Sequence, residues 1–231
     1  PYIAPDDTTL VSFESPKLDI WRWDAPMTPP QELNRVELLR KLTYPVVINL
    51  ADRKQTLITD NPLVRVSAPD RWNGEWALIA DPSANIISSQ WDYQYPIELS
   101  LKNVLTGETK EISTVFNGSY SYSPSAKYVV WFEDREYNVY SLASGEINKV
   151  GNDIPYLLWD DEVDTPQKDS EPYGIAAWTS EDSRMLVYDH NDVWAVDPIG
   201  KSASVCITAG EGRKRDLKMR LIDTDPDQRY V

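Results

Sequence analysis

Few side chains in this sequence could support hydrolytic chemistry. His190 is the single histidine, and it lies between Asp189 and Asn191 in a polar stretch. A serine nucleophile of the α/β-hydrolase type needs the motif G-x-S-x-G, followed along the chain by an acid and a histidine. The closest string, NGSYS at residues 117–121, lacks the second glycine. The sequence therefore predicts no catalytic residue. We interpret His190 as a turn residue with an unusual backbone angle, and a catalytic base is the alternative.

Metal binding is not predicted either, and no cofactor is expected. One histidine and one cysteine, Cys206, cannot complete the shell of a transition metal. Asp223, Asp225 and Asp227 are spaced as calcium ligands can be, but Pro226 and the lack of a following glycine spoil a calcium loop. An acidic turn is favoured there over a calcium site. Cys206 has no disulfide partner in the chain, and we interpret it as a buried hydrophobic residue rather than a reactive thiol.

Three segments are candidates for binding a ligand. Residues 160–172 (DDEVDTPQKDSEP) are acidic and contain proline, which predicts an exposed loop, with a cation or partner site as the alternative. Trp91, Tyr93 and Tyr95 alternate with polar residues and would share one face of an extended strand. Core packing is the favoured interpretation of these aromatics, and a surface that stacks on a peptide or a sugar is the alternative. The basic residues 213–215 are predicted to lie in a solvated loop.

The composition limits the class of protein. The 231 residues carry a formal net charge of −14, which argues against nucleic acid as a partner because phosphate binding needs clustered Lys and Arg. No run of about 18 apolar residues is present, so no membrane span is predicted. Seventeen Pro, nine Gly and nine Trp favour short strands joined by many turns over long helices. The predicted class is all-β.

From residue 44 onward the sequence repeats a pattern of strand, turn and strand. The equivalent positions are Val47, Leu99, Val139 and Val193, which are spaced 52, 40 and 54 residues apart. Repeats of about 40–50 residues built from strands are typical of a β-propeller. A β-sandwich or another barrel is the alternative. The pattern is clearest in residues 173–200, where strands are predicted at 185–188 and 193–196 and a largely buried Trp178 and Trp194 are expected on two adjacent strands.

The predicted organisation is a β-propeller segment of about four to five four-stranded antiparallel blades that form an incomplete ring. Residues 1–43 are an irregular start, with strands at 10–13 and 18–23 that leave a tryptophan at the surface, and a short helix within 31–41. Residues 44–231 hold the repeated blades. An arc of blades has two uncovered faces with apolar residues, so residues 10–23 and 217–230 are expected at those faces, where the chain could associate with itself.

Part of the sequence resembles a known family. The strings YGIAAWT at 173–179, DVWAVDPIG at 192–200 and ITAGEGRK at 207–214 are similar to the propeller of bacterial serine peptidases of the prolyl oligopeptidase family, in the dipeptidyl-peptidase branch and of Bacteroidetes type. Residues 18–23 and the acidic segment 160–172 also resemble that group. The resemblance runs from about residue 18 to residue 213.

The resemblance implies a periplasmic or extracellular propeller that caps a C-terminal α/β-hydrolase domain, filters peptide substrates by size and helps to position the peptide N-terminus. That hydrolase domain is absent from this sequence, so the chain alone is expected to be inactive. Glu133-Asp134 and residues 160–162 do not match the acidic motif with which some relatives bind a substrate amine, so no substrate-binding residue is carried over. The alternative is a free-standing periplasmic propeller that binds a protein or a glycan.

Overall fold

A computed structural model describes residues 20–69, 74–116, 119–162, 170–222, 224–225 and 229–231. Within them the helices are α1 (Pro29–Arg40) and α2 (Glu211–Lys214). The strands are β1 (Val46–Ile48), β2 (Gln55–Leu57), β3 (Arg65–Ser67), β4 (Trp76–Asp81), β5 (Ile97–Asn103), β6 (Thr109–Val115), β7 (Tyr120–Tyr122), β8 (Tyr128–Glu133), β9 (Glu136–Ser141), β10 (Ile147–Val150), β11 (Ile175–Trp178), β12 (Met185–Tyr188), β13 (Val193–Val196) and β14 (Val205–Cys206).

The strands form one two-stranded and three four-stranded sheets in the described part of the chain. Sheet 1 is the hairpin β1–β2, and sheets 2, 3 and 4 contain β3–β6, β7–β10 and β11–β14. Every pairing is antiparallel and joins strands that are consecutive in the chain. Leu99, Val139 and Val193 each lie in the third strand of their sheet, which confirms the predicted equivalence for these three positions. The fourth position, Val47, lies in β1 of the two-stranded sheet, where the equivalence is not shown.

Successive sheets pack face to face because alternate residues of a strand point to opposite faces. In β8, Val129 and Trp131 join the core shared with sheet 2. Val130 and Phe132 of the same strand join the core shared with sheet 4. A smaller core, which includes Ile79, lies between sheets 1 and 2. A series of four-stranded antiparallel meanders stacked in this way is the β-propeller arrangement, so the predicted fold class is confirmed.

Both ends of this stack expose apolar side chains. On sheet 1, Val46 pairs directly with Leu57, and both are 46% exposed beside Ile48 at 53%. At the other end, Val205 of β14 is 56% exposed and Ile207 is 51% exposed. On sheet 1, Val47 packs inward between Val46 and Ile48, so the exposed residues belong to a face that no other described sheet covers. On sheet 4, Leu186 lies on the same face as Val205 and is 4% exposed, so this face is open at β14 and covered over β12.

The chain after α2 crosses sheet 4 without forming a strand in its described residues. Leu221 donates its N–H to the hydroxyl of Tyr188 at 3.0 Å, and Val231 donates its N–H to the Trp178 carbonyl at 3.0 Å. Tyr230 packs against the core between sheets 3 and 4. The described residues between 217 and 230 therefore lie on the last sheet as predicted. They do not open a new blade within the part that the structure describes.

The N-terminal predictions are correct for the helix and wrong for one strand. The helix predicted within 31–41 is α1, whose first residue is Pro29; Gln31 accepts the Thr28 N–H at 2.8 Å and so caps its start. The strand predicted at 10–13 lies outside the described residues. Residues 20–23 are irregular, because no strand pairs with them and a turn follows, in which Ala25 bonds to Arg22. Trp21 is 65% exposed and Trp23 is 90% exposed.

Two predictions about aromatic residues also need correction. Trp91 follows a single 3₁₀ turn at Ser88–Gln90 and lies in no strand, because its N–H closes that turn on Ser88. Trp91 and Tyr93 are 69% and 73% exposed, so core packing holds only for Tyr95. Trp178 is buried and Trp194 is half-buried, and both pack in the core between sheets 3 and 4. They lie on β11 and β13, which are separated by β12 rather than adjacent.

Candidate functional site at the turn end of sheets 3 and 4

The β12–β13 turn is built around the buried carboxylate of Asp189. This group accepts the backbone N–H of Asn191 and that of Asp192, each at 2.6 Å, which closes the turn. It also accepts the indole Nε1–H of Trp194 at 2.9 Å and Nη2 of Arg213 at 3.0 Å. The Asp189 side chain is 0% exposed, so Arg213 neutralises a charge that has no access to water.

Arg213 links this turn to the segment before β11. Its guanidinium lies 3.5 Å from the ring centroid of Tyr156, so one face stacks while an edge bonds Asp189. The prediction of a solvated basic loop at 213–215 is therefore wrong for Arg213. It holds for Lys214 and Arg215 as exposed side chains, although Lys214 lies in α2.

A second carboxylate, Asp192, ties α2 to the same turn. It accepts the hydroxyl of Thr208 at 2.6 Å, the N–H of Gly212 at 2.9 Å and the N–H of Arg213 at 3.0 Å. Burial alone would raise the pKa of Asp192, but these hydrogen bonds bring the pKa below its ordinary value. A Cβ at Gly212 would lie 2.4 Å from the Asn191 carbonyl oxygen, so only glycine allows this approach.

His190 lies at the tip of the turn and pairs with Tyr173. The Tyr173 hydroxyl and His190 Nδ1 are 3.1 Å apart, and the two rings meet edge to face. Nδ1 is thus bonded to a phenol, where a hydrolase triad would have a carboxylate. His190 has no positive φ, so its interpretation as a residue with an unusual backbone angle is wrong. Burial raises the pKa of Tyr173, and the nearby carboxylates of residues 160–162 raise it further.

The acidic segment 160–172 is held at its two ends. Trp159 and Pro172 form an isolated β-bridge, and Asp160 donates its N–H to the Glu171 carbonyl at 2.9 Å. Asp161 and Glu162 are exposed, as predicted for a loop, and residues 163–169 lie outside the described residues. Among the residues that the structure describes, no group of three or more His, Cys, Asp or Glu is placed to hold a metal ion. Of the acidic turn at 223–227, only residues 224 and 225 are described.

An inner cleft of about 250 Å³ opens beside the Tyr173–His190 pair, between β7 and the start of β11. Its lining residues are Ser119, Tyr120, Ser121, Val130, Trp131, Tyr137, Pro172, Gly174 and Ile175. Tyr137 is 2% exposed, and its hydroxyl has no hydrogen-bond partner among the described residues. Burial raises the pKa of Tyr137 and outweighs the opposing effect of the Gly174 backbone, so the group stays a neutral phenol.

Cys206 lies on β14 and is half-buried rather than buried, with its sulfur 3.5 Å from the Thr208 hydroxyl.

In the ranges that the structure describes, no helix is both long and apolar enough to cross a membrane.

Comparison with known proteins finds matches among solved structures only. No family model matches the chain, and no curated protein matches it. The crystal structure of TolB from Acinetobacter baumannii matches with a TM-score of 0.37 and 13% identity, over 71% of this chain and 37% of TolB. The chain thus spans little more than a third of TolB. The fold assignment rests on the sheets described above.

Sequence reasoning missed Tyr137, Tyr173 and Arg213. The polar residues 189–192 are predicted to form a turn. Two aspartates three residues apart in such a turn are a signal for buried carboxylates that need hydrogen-bond donors and a cationic partner. Arg213 is the residue that supplies it, 24 positions after Asp189. No local pattern marks Tyr137, because the residues that form the cleft around it include Pro172, Gly174 and Ile175, which are distant in the sequence.

Proposed function

We propose that this chain is the non-catalytic propeller segment of a periplasmic or extracellular serine peptidase of the prolyl oligopeptidase type. In this proposal it is a scaffold and gate for an α/β-hydrolase domain elsewhere in the same polypeptide. The observation that carries the proposal is the exposure of apolar side chains on the outer faces of sheets 1 and 4. Apolar faces of this kind belong against neighbouring blades, as expected of an arc within a larger ring.

Two further observations support it. The sequence resemblance to that peptidase family is strongest in residues 173–214, which build the Asp189 and Asp192 network described above. The polar groups of this end, including the Tyr173–His190 pair, bond to one another in an arrangement without a serine nucleophile. In this proposal the end serves as a rigid scaffold, and hydrolysis falls to the other domain.

The test has a biochemical part and a genetic part. The purified chain should show no turnover of fluorogenic Gly-Pro or Ala-Ala dipeptide amides, because its sequence has no G-x-S-x-G motif to supply an activated serine. The complete coding sequence should encode G-x-S-x-G with a later Asp and His, and the full polypeptide should hydrolyse these amides until its motif serine is changed to alanine. Turnover by the chain alone that a serine-directed inhibitor abolishes would refute the proposal. So would a coding sequence without the hydrolase motif.

A second candidate function is a free-standing periplasmic propeller that binds a glycan or a protein. The observation in its favour is the exposure of Trp91 and Tyr93. The preceding residue, Gln90, donates its side-chain amide to the Ala25 carbonyl at 2.8 Å and so ties this segment to the one that contains the exposed Trp23. Open aromatic surfaces of this kind mark interaction sites. Binding of a soluble oligosaccharide that Trp91→Ala abolishes and Trp21→Ala retains would favour this function.

A further inference from the structure

The inner edge of sheet 3 is an unpaired strand. β7 is at the edge of its sheet, with β8 on one side and no strand on the other among the described residues. Phe132 donates its N–H to the Ser119 carbonyl at 3.3 Å, and Ser123 donates to the Tyr128 carbonyl at 2.9 Å. Because antiparallel pairing alternates, residues 119, 121 and 123 bond to β8, and Tyr120 points its N–H and C=O away from it. Those two groups face the cleft side of the strand.

The neighbouring sheet shows that such an edge accepts a backbone partner. β11 is the corresponding edge strand of sheet 4, and its Trp178 carbonyl receives the N–H of Val231. The chain therefore already places an extended residue against one inner edge. At β7 the inner cleft leaves room for the same kind of contact.

The cleft adds a donor and apolar walls to the free edge. Tyr137 is more than nine-tenths buried, and among the described residues no acceptor receives its hydroxyl proton, which costs about 1–3 kcal/mol unless a ligand supplies one. Val130, Pro172 and Ile175 contribute apolar surface on either side of it. A peptide carbonyl fits this donor, and an extended peptide also satisfies the N–H and C=O of Tyr120.

We propose that the inner cleft binds an extended peptide segment, which adds a strand to the edge of β7 and places one backbone carbonyl against the Tyr137 hydroxyl. Backbone pairing gives affinity in strand addition of this kind, and alternate side chains enter the apolar part of the cleft. The net charge of −14 favours a cationic peptide. This goes beyond the proposed function, because the site lies wholly within this chain and needs neither a hydrolase domain nor a free peptide terminus.

Isothermal titration calorimetry of the purified chain with the blocked peptide acetyl-Lys-Val-Thr-Val-Lys-amide tests the proposal. We expect saturable binding, and loss of about tenfold or more in affinity for the analogue N-methylated at both valines, which keeps the side chains and removes backbone donors. Tyr137→Phe should weaken binding about fivefold, the size of one neutral hydrogen bond. Tyr140→Phe is the matched control, since Tyr140 is on the same strand and packs in the core toward sheet 2.

The result that would overturn the proposal is the absence of binding at millimolar peptide, equal affinity of the N-methylated analogue, or an unchanged Kd in Tyr137→Phe. Thermal unfolding of both variants checks that they fold. Tyr137→Phe deletes a buried hydroxyl whose proton has no acceptor among the described residues, so the stability of the variant should equal or exceed that of the original chain. Peptidase assays of the full polypeptide are independent of this outcome, so failure here leaves the proposed function standing.

Discussion

Buried carboxylates at single residues determine how α2 attaches to the propeller. Asp189 and Asp192 are 0% and 1% exposed, yet each accepts at least three hydrogen bonds. A buried carboxylate without partners would be strongly destabilising, whereas this number of donors satisfies the oxygen atoms of both side chains. The donors come from the turn itself and from α2, so the two carboxylates couple residues about 20 positions apart.

Replacing Arg213 with Met should destabilise the fold. The change removes the only cation among the described residues that pairs with Asp189 and also removes the stack on Tyr156. Because the guanidinium is 36% exposed and Asp189 keeps three other donors, we expect a loss of about 2 kcal/mol in the free energy of unfolding, below the range for a fully buried pair. Urea denaturation of the variant and the original chain measures this difference in the free energy of unfolding.

Lys214→Met is the matched control for that change. Lys214 lies on the same helix, 75% exposed, and pairs only with Glu211 in the described chain. Its loss should stay within about 0.5 kcal/mol. Equal losses in the free energy of unfolding for the two substitutions would show that the Arg213–Asp189 pair stabilises the fold no more than an exposed pair does.

Acid should weaken the fold through Asp192. Its folded pKa lies below the ordinary value, so its contribution is present above the unfolded pKa of about 3.9 and is lost as pH falls through the folded pKa. Asp197 and Asp153 are shifted in the same direction, so their contributions add with the same sign. We expect the free energy of unfolding to fall between about pH 5 and pH 2. In Asp192→Asn that slope should be shallower, and an unchanged slope would contradict the assignment.

At the scale of elements, the contact between sheets 3 and 4 depends on Trp178. This side chain is 5% exposed and stacks on Tyr128 of β8 with ring centroids 6.0 Å apart. Trp178→Ala should cost about 3–5 kcal/mol, since it leaves a cavity in the core between the two sheets. Trp91→Ala, at a side chain 69% exposed, should change stability by less than about 0.5 kcal/mol. Similar melting curves for the two variants would contradict this packing.

Strands could be predicted from the sequence where both faces are buried. The apolar runs at 185–188 and 193–196 coincide with β12 and β13, because a short apolar run between two polar turns is typical of a buried strand. The alternating aromatics at 91–95 failed as a strand because alternation requires a partner strand, and residues 82–96 instead form the connection between β4 and β5. The inner cleft could not be predicted, since its lining residues come from four separate parts of the chain between residues 119 and 175.

For the whole molecule, the uncovered faces of sheets 1 and 4 predict weak self-association. We expect sedimentation velocity to show a mass that rises with concentration, despite the charge of −14, because apolar faces of neighbouring copies can cover one another. Ile48→Lys together with Val205→Lys should restore a monomer without unfolding it, since both side chains point away from the core. Glu98→Lys, an exposed change on β5, is the control. A concentration-independent monomer would contradict the expectation.

The division of β8 between two cores has a consequence for cooperativity. Val129 and Trp131 pack toward sheet 2, and Val130 and Phe132 pack toward sheet 4. Each sheet is therefore stabilised chiefly by the sheets next to it. In such a nearest-neighbour chain, opening starts at the ends and proceeds inward. Amide hydrogens of sheet 3, which has a four-stranded sheet on either side, should therefore exchange with deuterium most slowly. Those of the β1–β2 hairpin should exchange through local opening long before the molecule unfolds.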